Sequence, residues 1–179
     1  MDTLFSSDYY RMTETQYTPS FRSMLHILLH HNLRFMWLYR KYQQHPSTLV
    51  RFLLYRLSRK FGLEISVGAK IGGGLYLGHP YNITIAEGVQ LGSNVNIHKG
   101  CTIGRENRGK RIGTPVIGDR VFIGIGAVVI GNITIGDDVM IAPNSFVNFD
   151  VPAHSIVIGT PAVVHHRDNA TDSYINFCV

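Results

Sequence analysis

The sequence predicts a mainly β fold: a parallel β-helix of hexapeptide repeats, with a short α-helical segment in front of it. Three observations predict it. An aliphatic residue recurs every six positions from Ile65 to Val147, a small residue usually follows it, and the residues before Glu64 instead show three- and four-residue spacing.

Residues 1–20 read as a polar, weakly ordered arm. From Phe21 to Phe61 the pattern is helical, with Met24, Leu25, Leu28, Leu29, Leu33, Met36 and Trp37 on one set of steps. His45-Pro46-Ser47 interrupts it, because proline disfavours helix at the residue before it. Ser47 is placed to cap a second helix carrying Leu49, Phe52, Leu53, Arg56 and Leu57, and Gly62 ends that helix. Positive charge belongs to this segment. Residues 1–63 hold nine Lys/Arg against three acidic residues, and residues 64–179 hold eight against nine. So local a charge argues against a general nucleic-acid surface. Arg51, Arg56, Arg59 and Lys60 flank the apolar stripe of the second helix. Packing on the protein's own body is one reading of that stripe, and peripheral contact with a membrane surface is the other. The apolar stretch Met24–Leu38 is broken by His26, His30, His31, Asn32 and Arg34, so it is not expected to span a bilayer.

The repeat proper runs through Ile65, Ile71, Leu77, Ile85, Leu91, Ile97, Ile103, Ile117, Ile123, Val129, Ile135, Ile141 and Val147. Each hexad is a short strand and a turn, and three hexads close one triangular coil of about eighteen residues. Coils stack at roughly the inter-strand spacing, about 4.8 Å. The aliphatic residues fill the prism and the small ones occupy its corners. Three segments follow: helices and arm (1–63), β-helix (64–167) and a C-terminal tail (168–179).

The beat falters twice. Leu77 to Ile85 spans eight residues, with the excess in Gly78-His79-Pro80-Tyr81-Asn82. Ile103 to Ile117 spans fourteen, across a charged, glycine-rich loop from Gly104 to Pro115. Loops on a rigid scaffold are where binding residues concentrate.

An apolar content of 45% with 16% charged residues excludes a disordered chain. Cys101 and Cys178 lie far apart and fit no disulfide or metal spacing, which suits a reducing, cytoplasmic setting. The start MDTLFSSDYY lacks a basic region followed by an apolar core, so no secretory leader is expected.

The stretch from Glu64 to His79, the hexads after it, and the closing Val151–Ala162 together resemble the serine O-acetyltransferases among the hexapeptide-repeat acyltransferases, and especially the short forms associated with polysaccharide biosynthesis. The resemblance covers about residues 50–167. It implies a left-handed β-helix, a homotrimer with active sites between neighbouring prisms, and acetyl-CoA as co-substrate. It also implies that His79 takes the proton of an acceptor hydroxyl, a task suited to an imidazole that titrates near neutrality. Glu64 stands where the family has an aspartate, and would orient that ring. His98, about one coil on, would line the acceptor pocket, with Arg111 and Thr114 from the second loop. The coenzyme contacts would fall at Gly126, Ala127, Asn144 and Ser145, with Thr160 and Ala162 near the nucleotide end. Arg167, or a basic residue between Arg105 and Arg111, would meet the phosphates.

The chain departs from the serine-specific pattern in two places. Gly78 replaces an aspartate that holds the substrate amino group, and Gly113 and Thr114 replace an arginine–histidine pair for its carboxylate. The acceptor is therefore serine or a sugar hydroxyl of a surface polysaccharide. Two other readings stand beside this one. One is a non-catalytic β-helix acting as a scaffold. The other is a zinc lyase of the γ-carbonic anhydrase type, which uses three histidines, whereas only His79 and His98 lie in the coil body here. No metal is expected.

Overall fold

A computed structural model describes residues 3–179. Helices α1 (Thr3–Thr13), α2 (Phe21–Leu29), α3 (His31–Gln44) and α4 (Thr48–Phe61) precede the strands. The first coil holds β1 (Leu63–Ile65), β2 (Lys70–Ile71) and β3 (Tyr76–Gly78). The second holds β4 (Ile83–Ile85), β5 (Gln90–Leu91) and β6 (Asn96–His98), and the third β7 (Thr102–Gly104), β8 (Val116–Ile117) and β9 (Val121–Ile123). The fourth holds β10 (Val128–Ile130), β11 (Thr134–Ile135) and β12 (Val139–Ile141). A last partial coil has β13 (Phe146–Val147) and β14 (Ser155–Gly159), and β15 (Ala162–His166) folds back antiparallel on β14.

All other strand pairs are parallel and make the three faces of a prism. Face one is β1-β4-β7-β10-β13, face two is β2-β5-β8-β11, and face three is β3-β6-β9-β12-β14-β15. Every repeat aliphatic from Ile65 to Val147 is buried. The small residue after it has a direct steric cause at the corner between faces two and three. A Cβ on Gly72 would stand 2.5 Å from the carbonyl oxygen of Gly92, and one on Gly92 would stand 2.3 Å from Asp119 Oδ1. Gly62 ends α4 in the left-handed region (φ +68°), as expected.

The N-terminal expectations need four corrections. Residues 3–20 are not a loose arm (residues 1 and 2 lie outside the described residues), since residues 3–13 form α1, which buries Phe5, Asp8, Tyr9 and Arg11. Phe5, Tyr9 and Tyr17 meet edge to face at 5.2–6.1 Å. Second, the run from Phe21 is two helices, because extended His30 turns the chain so that Ile27 of α2 and Leu33 and Met36 of α3 can all be buried. Third, Ser47 sits at the N-cap of α4 without a side-chain cap bond, whereas Ser20 and Ser23 form a full capping box on α2. Fourth, α4 buries Val50, Leu54 and Leu57 but leaves Leu49, Phe52, Leu53 and Tyr55 exposed.

The tail is also tied down. It crosses face three from the fourth coil back to the second, and hydrogen bonds hold it at both ends. The Asp138 carboxylate accepts from the Thr171 hydroxyl (2.7 Å), from the backbone N–H groups of Ala170 and Thr171 (both 3.0 Å) and from His154 Nδ1 (2.9 Å). Asn96 Nδ2 donates to the Tyr174 carbonyl at 3.0 Å, Arg11 donates to the Asn176 carbonyl, and Asn94 exchanges two bonds with Val179. Arm and tail thus meet over one face of the prism.

Burial alone would raise the Asp138 carboxyl, but the bonds from Thr171, His154 and the Ala170 amide outweigh it and bring the value to about 2. A depressed acid stabilises the fold above its unfolded pKa, and that contribution fades as pH falls from about 4 towards 2. Asp138→Asn should therefore cost about 2 kcal/mol at pH 7 and much less at pH 2. Urea titrations at the two pH values check this.

Candidate active site

The two interruptions of the repeat stand at different corners of the prism. The first lies between faces three and one, where β3 ends and the chain turns through His79–Asn82 into β4. His79 is exposed and held in the left-handed region (φ +49°), as is Asn82 (φ +54°). The Tyr81 N–H donates to the His79 carbonyl at 2.8 Å, and the Asn82 N–H donates to the Phe61 carbonyl at 3.1 Å. From α3, His31 Nε2 donates to the Pro80 carbonyl at 3.2 Å. Its ring stacks on Phe61 (4.2 Å, 20°) and touches Tyr81 at 5.0 Å. Burial holds the His31 pKa below the usual imidazole value, against the Pro80 carbonyl, which favours the charged form. The helical segment thus clamps the histidine turn.

His98 lies beside this turn, one coil on, with Gly78 as its register partner. A Cβ on Gly78 would fall 2.5 Å from His98 Nδ1, so the imidazole fills the space a side chain at position 78 would need. The ring packs on Phe122 at 4.8 Å, and its Nε2 is buried without a hydrogen-bond partner among the described residues. Burial, then the proximity of His79, lowers the His98 pKa, which favours the neutral ring. It lines a cavity of about 360 Å³ walled by Arg11, Tyr76, Asn96, Phe122, Tyr174 and Phe177. Helix α1, face three and the tail each contribute to that wall.

Below His79 the turns of successive coils stack along the same corner. The Gly100 N–H donates to Tyr81, the Gly126 N–H to Lys99, the Asn144 N–H to Ile125 and the Thr160 hydroxyl to Asn144, all to carbonyls at 2.9–3.1 Å. Four coil steps make this column about 19 Å long. A Cβ on Gly126 (φ +69°) would stand 2.4 Å from Asn144 Oδ1, so the column packs closely only with glycine there.

His79, His98, Gly126, Asn144 and Thr160 therefore share one corner, and Ala162 begins the hairpin strand at its foot, paired with Gly159. Of the other expected site residues, Ala127 and Ser145 follow Gly126 and Asn144 on the same turns, and the rest fall elsewhere. Ala127 and Ser145 are buried in the prism, and the Ser145 hydroxyl accepts from the Gly159 N–H at 2.9 Å, so neither side chain faces a ligand on the corner. Arg111 and Thr114 belong to the second loop, at the corner between faces one and two. There Arg111 donates to the Asn148 carbonyl, and Glu106 and Gly113 exchange backbone bonds across the loop neck. Within one chain they do not meet His79. Arg167 follows β15 at the opposite edge of face three, its N–H on the His154 carbonyl. Glu64 lies exposed in β1 beside a groove lined by Tyr55 and Arg59, and no hydrogen bond joins it to His79 among the described residues. No group of three His, Cys, Asp or Glu close enough to hold a metal ion occurs among the described residues.

Sequence reasoning missed His31, Phe61 and Tyr81. His31 is forty-nine positions from Pro80 and lies outside the repeat, so no local spacing announces their contact. It missed the cavity too, because one wall comes from the arm, read as weakly ordered, and another from a tail to which the sequence assigned no structure.

A family model described as bacterial transferase hexapeptide (six repeats) matches residues 114–148. The serine acetyltransferase of Helicobacter pylori is 37% identical over 138 residues, covering 77% of this chain and 74% of that protein. The crystal structure of Neisseria gonorrhoeae serine acetyltransferase in complex with serine superposes with a TM-score of 0.67 at 33% identity, over 89% of this chain and 67% of that one. A serine acetyltransferase solved in complex with CoA gives a TM-score of 0.73 at 26% identity, over 90% and 68%.

Proposed function

Because the chain belongs to the serine acetyltransferase family, we propose that this O-acetyltransferase moves the acetyl group of acetyl-CoA to an acceptor hydroxyl, with His79 as general base. The observation that carries the reading is the exposed imidazole at the head of a closely stacked corner whose length suits an extended pantetheine arm. The thioester would lie at His79, with the arm running along Gly126 and Asn144 and the nucleotide end towards Thr160 and Ala162. His79 takes the acceptor hydroxyl proton as the oxygen attacks the thioester carbonyl. The carbon–sulfur bond then breaks, and the proton passes to the departing thiolate. Glu64 orients the imidazole once substrates tighten the corner, since catalytic hydrogen bonds are often long before substrate binds.

Serine is the acceptor carried over from the relatives, one of which is solved with it. One observation favours an uncharged sugar hydroxyl instead. The His98 ring occupies the space beside Gly78, and a neutral imidazole pairs with a substrate ammonium far less well than a carboxylate does. In a homotrimer, the loop bearing Arg111 and Thr114 would complete a neighbour's site rather than its own.

The test is free-thiol release from acetyl-CoA with serine, homoserine and a panel of nucleotide sugars. Release with serine supports the first acceptor, and release with a sugar alone supports the second. If calorimetry finds no coenzyme A binding at millimolar concentration, the reading falls and a scaffold role takes its place. His31 is a positioning residue in this scheme. His31→Ala should lower kcat roughly 10- to 100-fold with KM for acetyl-CoA nearly unchanged. His31→Gln, which keeps a donor for the Pro80 carbonyl, should recover most of the loss.

A further inference from the structure

The helical segment leaves an apolar surface uncovered. Phe21 is 85% exposed, Leu29 70%, Leu49 66% and Phe52 53%. Leu28 of α2 and Phe52 and Leu53 of α4 open onto one groove of about 470 Å³, floored by Trp37 and Leu38 of α3 and bordered by Arg34, Arg56 and Lys60. The two outer helices therefore share an apolar face at Leu28, Phe52 and Leu53, with Phe21, Leu29 and Leu49 exposed elsewhere on the same helices. No helix among the described residues is long and apolar enough to cross a membrane.

Charge decides what covers it. Residues 15–63 contain no aspartate or glutamate, while Arg22, Lys41, Arg51, Arg56, Arg59 and Lys60 are all exposed. The remaining arginine of α3, Arg40, is already neutralised by Asp8 in the interior. A second copy docked face to face would set cations against cations with no carboxylate to separate them. A nucleic acid would satisfy the charge but leave the leucines and phenylalanines in water. Long apolar side chains between exposed cations match the boundary between acyl chains and anionic headgroups.

We propose that α2 and α4 dock this protein on the surface of an anionic lipid bilayer, with Phe21, Leu28, Leu29, Leu49 and Phe52 entering the headgroup region and the surrounding cations pairing with lipid phosphates. Because α3 clamps the His79 turn through His31 and Pro80, docking sets the catalytic end of the prism next to the membrane.

The experiment is flotation of the full chain with vesicles of phosphatidylglycerol and phosphatidylcholine, and with vesicles of phosphatidylcholine alone. The protein should float with the anionic vesicles, stay down with the neutral ones, and lose most of its binding between 50 and 500 mM salt, roughly the range over which screening shortens from beyond 10 Å to a few ångströms. The double variant Leu28→Glu with Phe52→Glu, whose side chains lie outside the core, should bind about 10-fold more weakly and keep its acetyl transfer to a soluble acceptor. Failure of the unaltered chain to float with anionic vesicles overturns the proposal. So does unchanged binding of the double variant, or a fall in its mass by light scattering with vesicle binding intact, since that would mean a second copy covers the face.

Discussion

Acetyl transfer should fall by about 10²–10⁴-fold when His79 is replaced, the range a positioned general base contributes. Two substitutions separate chemistry from folding. His79→Ala removes the imidazole but places alanine at φ +49°, at a cost of roughly 1 kcal/mol in the turn. His79→Asn removes the base and keeps a residue that tolerates the left-handed region. Both should melt close to the parent, because the side chain is exposed and makes no hydrogen bond among the described residues. Both should also keep KM for acetyl-CoA, since the expected coenzyme contacts lie two to four coils away along the corner. Equal losses in the two variants assign the effect to the missing base. Full activity in His79→Asn would end the general-base mechanism.

What the sequence made legible divides along a physical line. The prism could be read because its side chains repeat with the backbone, and all thirteen aliphatics from Ile65 to Val147 point inward as their period requires. His79 could be read because it breaks that period. His98 could be placed beside it, one coil on, but His31 could not, since it reaches Pro80 from outside the repeat. Ala127 and Ser145, beside Gly126 and Asn144, turn their side chains inward, so any contact they make with the coenzyme is through the backbone. Arg111 shows the limit of one chain: its loop projects from the wrong corner, so any part it has at His79 depends on a partner no single sequence displays. The order of the arm and of the tail escaped the sequence for a common reason. Their anchors are Asp8, Arg11, Asn94, Asn96 and Asp138, polar residues that a hydrophobicity pattern assigns to solvent.

Asp8 is where that misreading has the largest consequence for stability. Its carboxylate is fully buried and meets an equally buried guanidinium, with Arg40 Nε donating at 2.8 Å and Nη2 at 3.2 Å. The same carboxylate accepts the Leu75 N–H at 2.9 Å, and Arg40 also donates to the carbonyls of Ile71 (2.7 Å) and Gly72 (2.6 Å). The pair thus joins α1 and α3 to the first coil through backbone groups that face two does not satisfy. Asp8→Ala leaves a charged guanidinium in the interior without its counter-ion and should destabilise the protein by about 3–5 kcal/mol. Asp8→Asn, which still accepts from Leu75, should cost less. Replacing both partners, Asp8→Leu with Arg40→Met, should cost less than the sum of the singles, because no charge is then stranded. It should not reach parental stability, since the Ile71 and Gly72 carbonyls lose their donor. Urea midpoints for the parent, Asp8→Leu, Arg40→Met and the double variant give the coupling directly. A parental midpoint for Asp8→Ala would mean that α1 is dispensable to the fold. Because α1 also carries Arg11 to the cavity beside His98, Asp8→Ala should lose activity at temperatures below those that melt the prism.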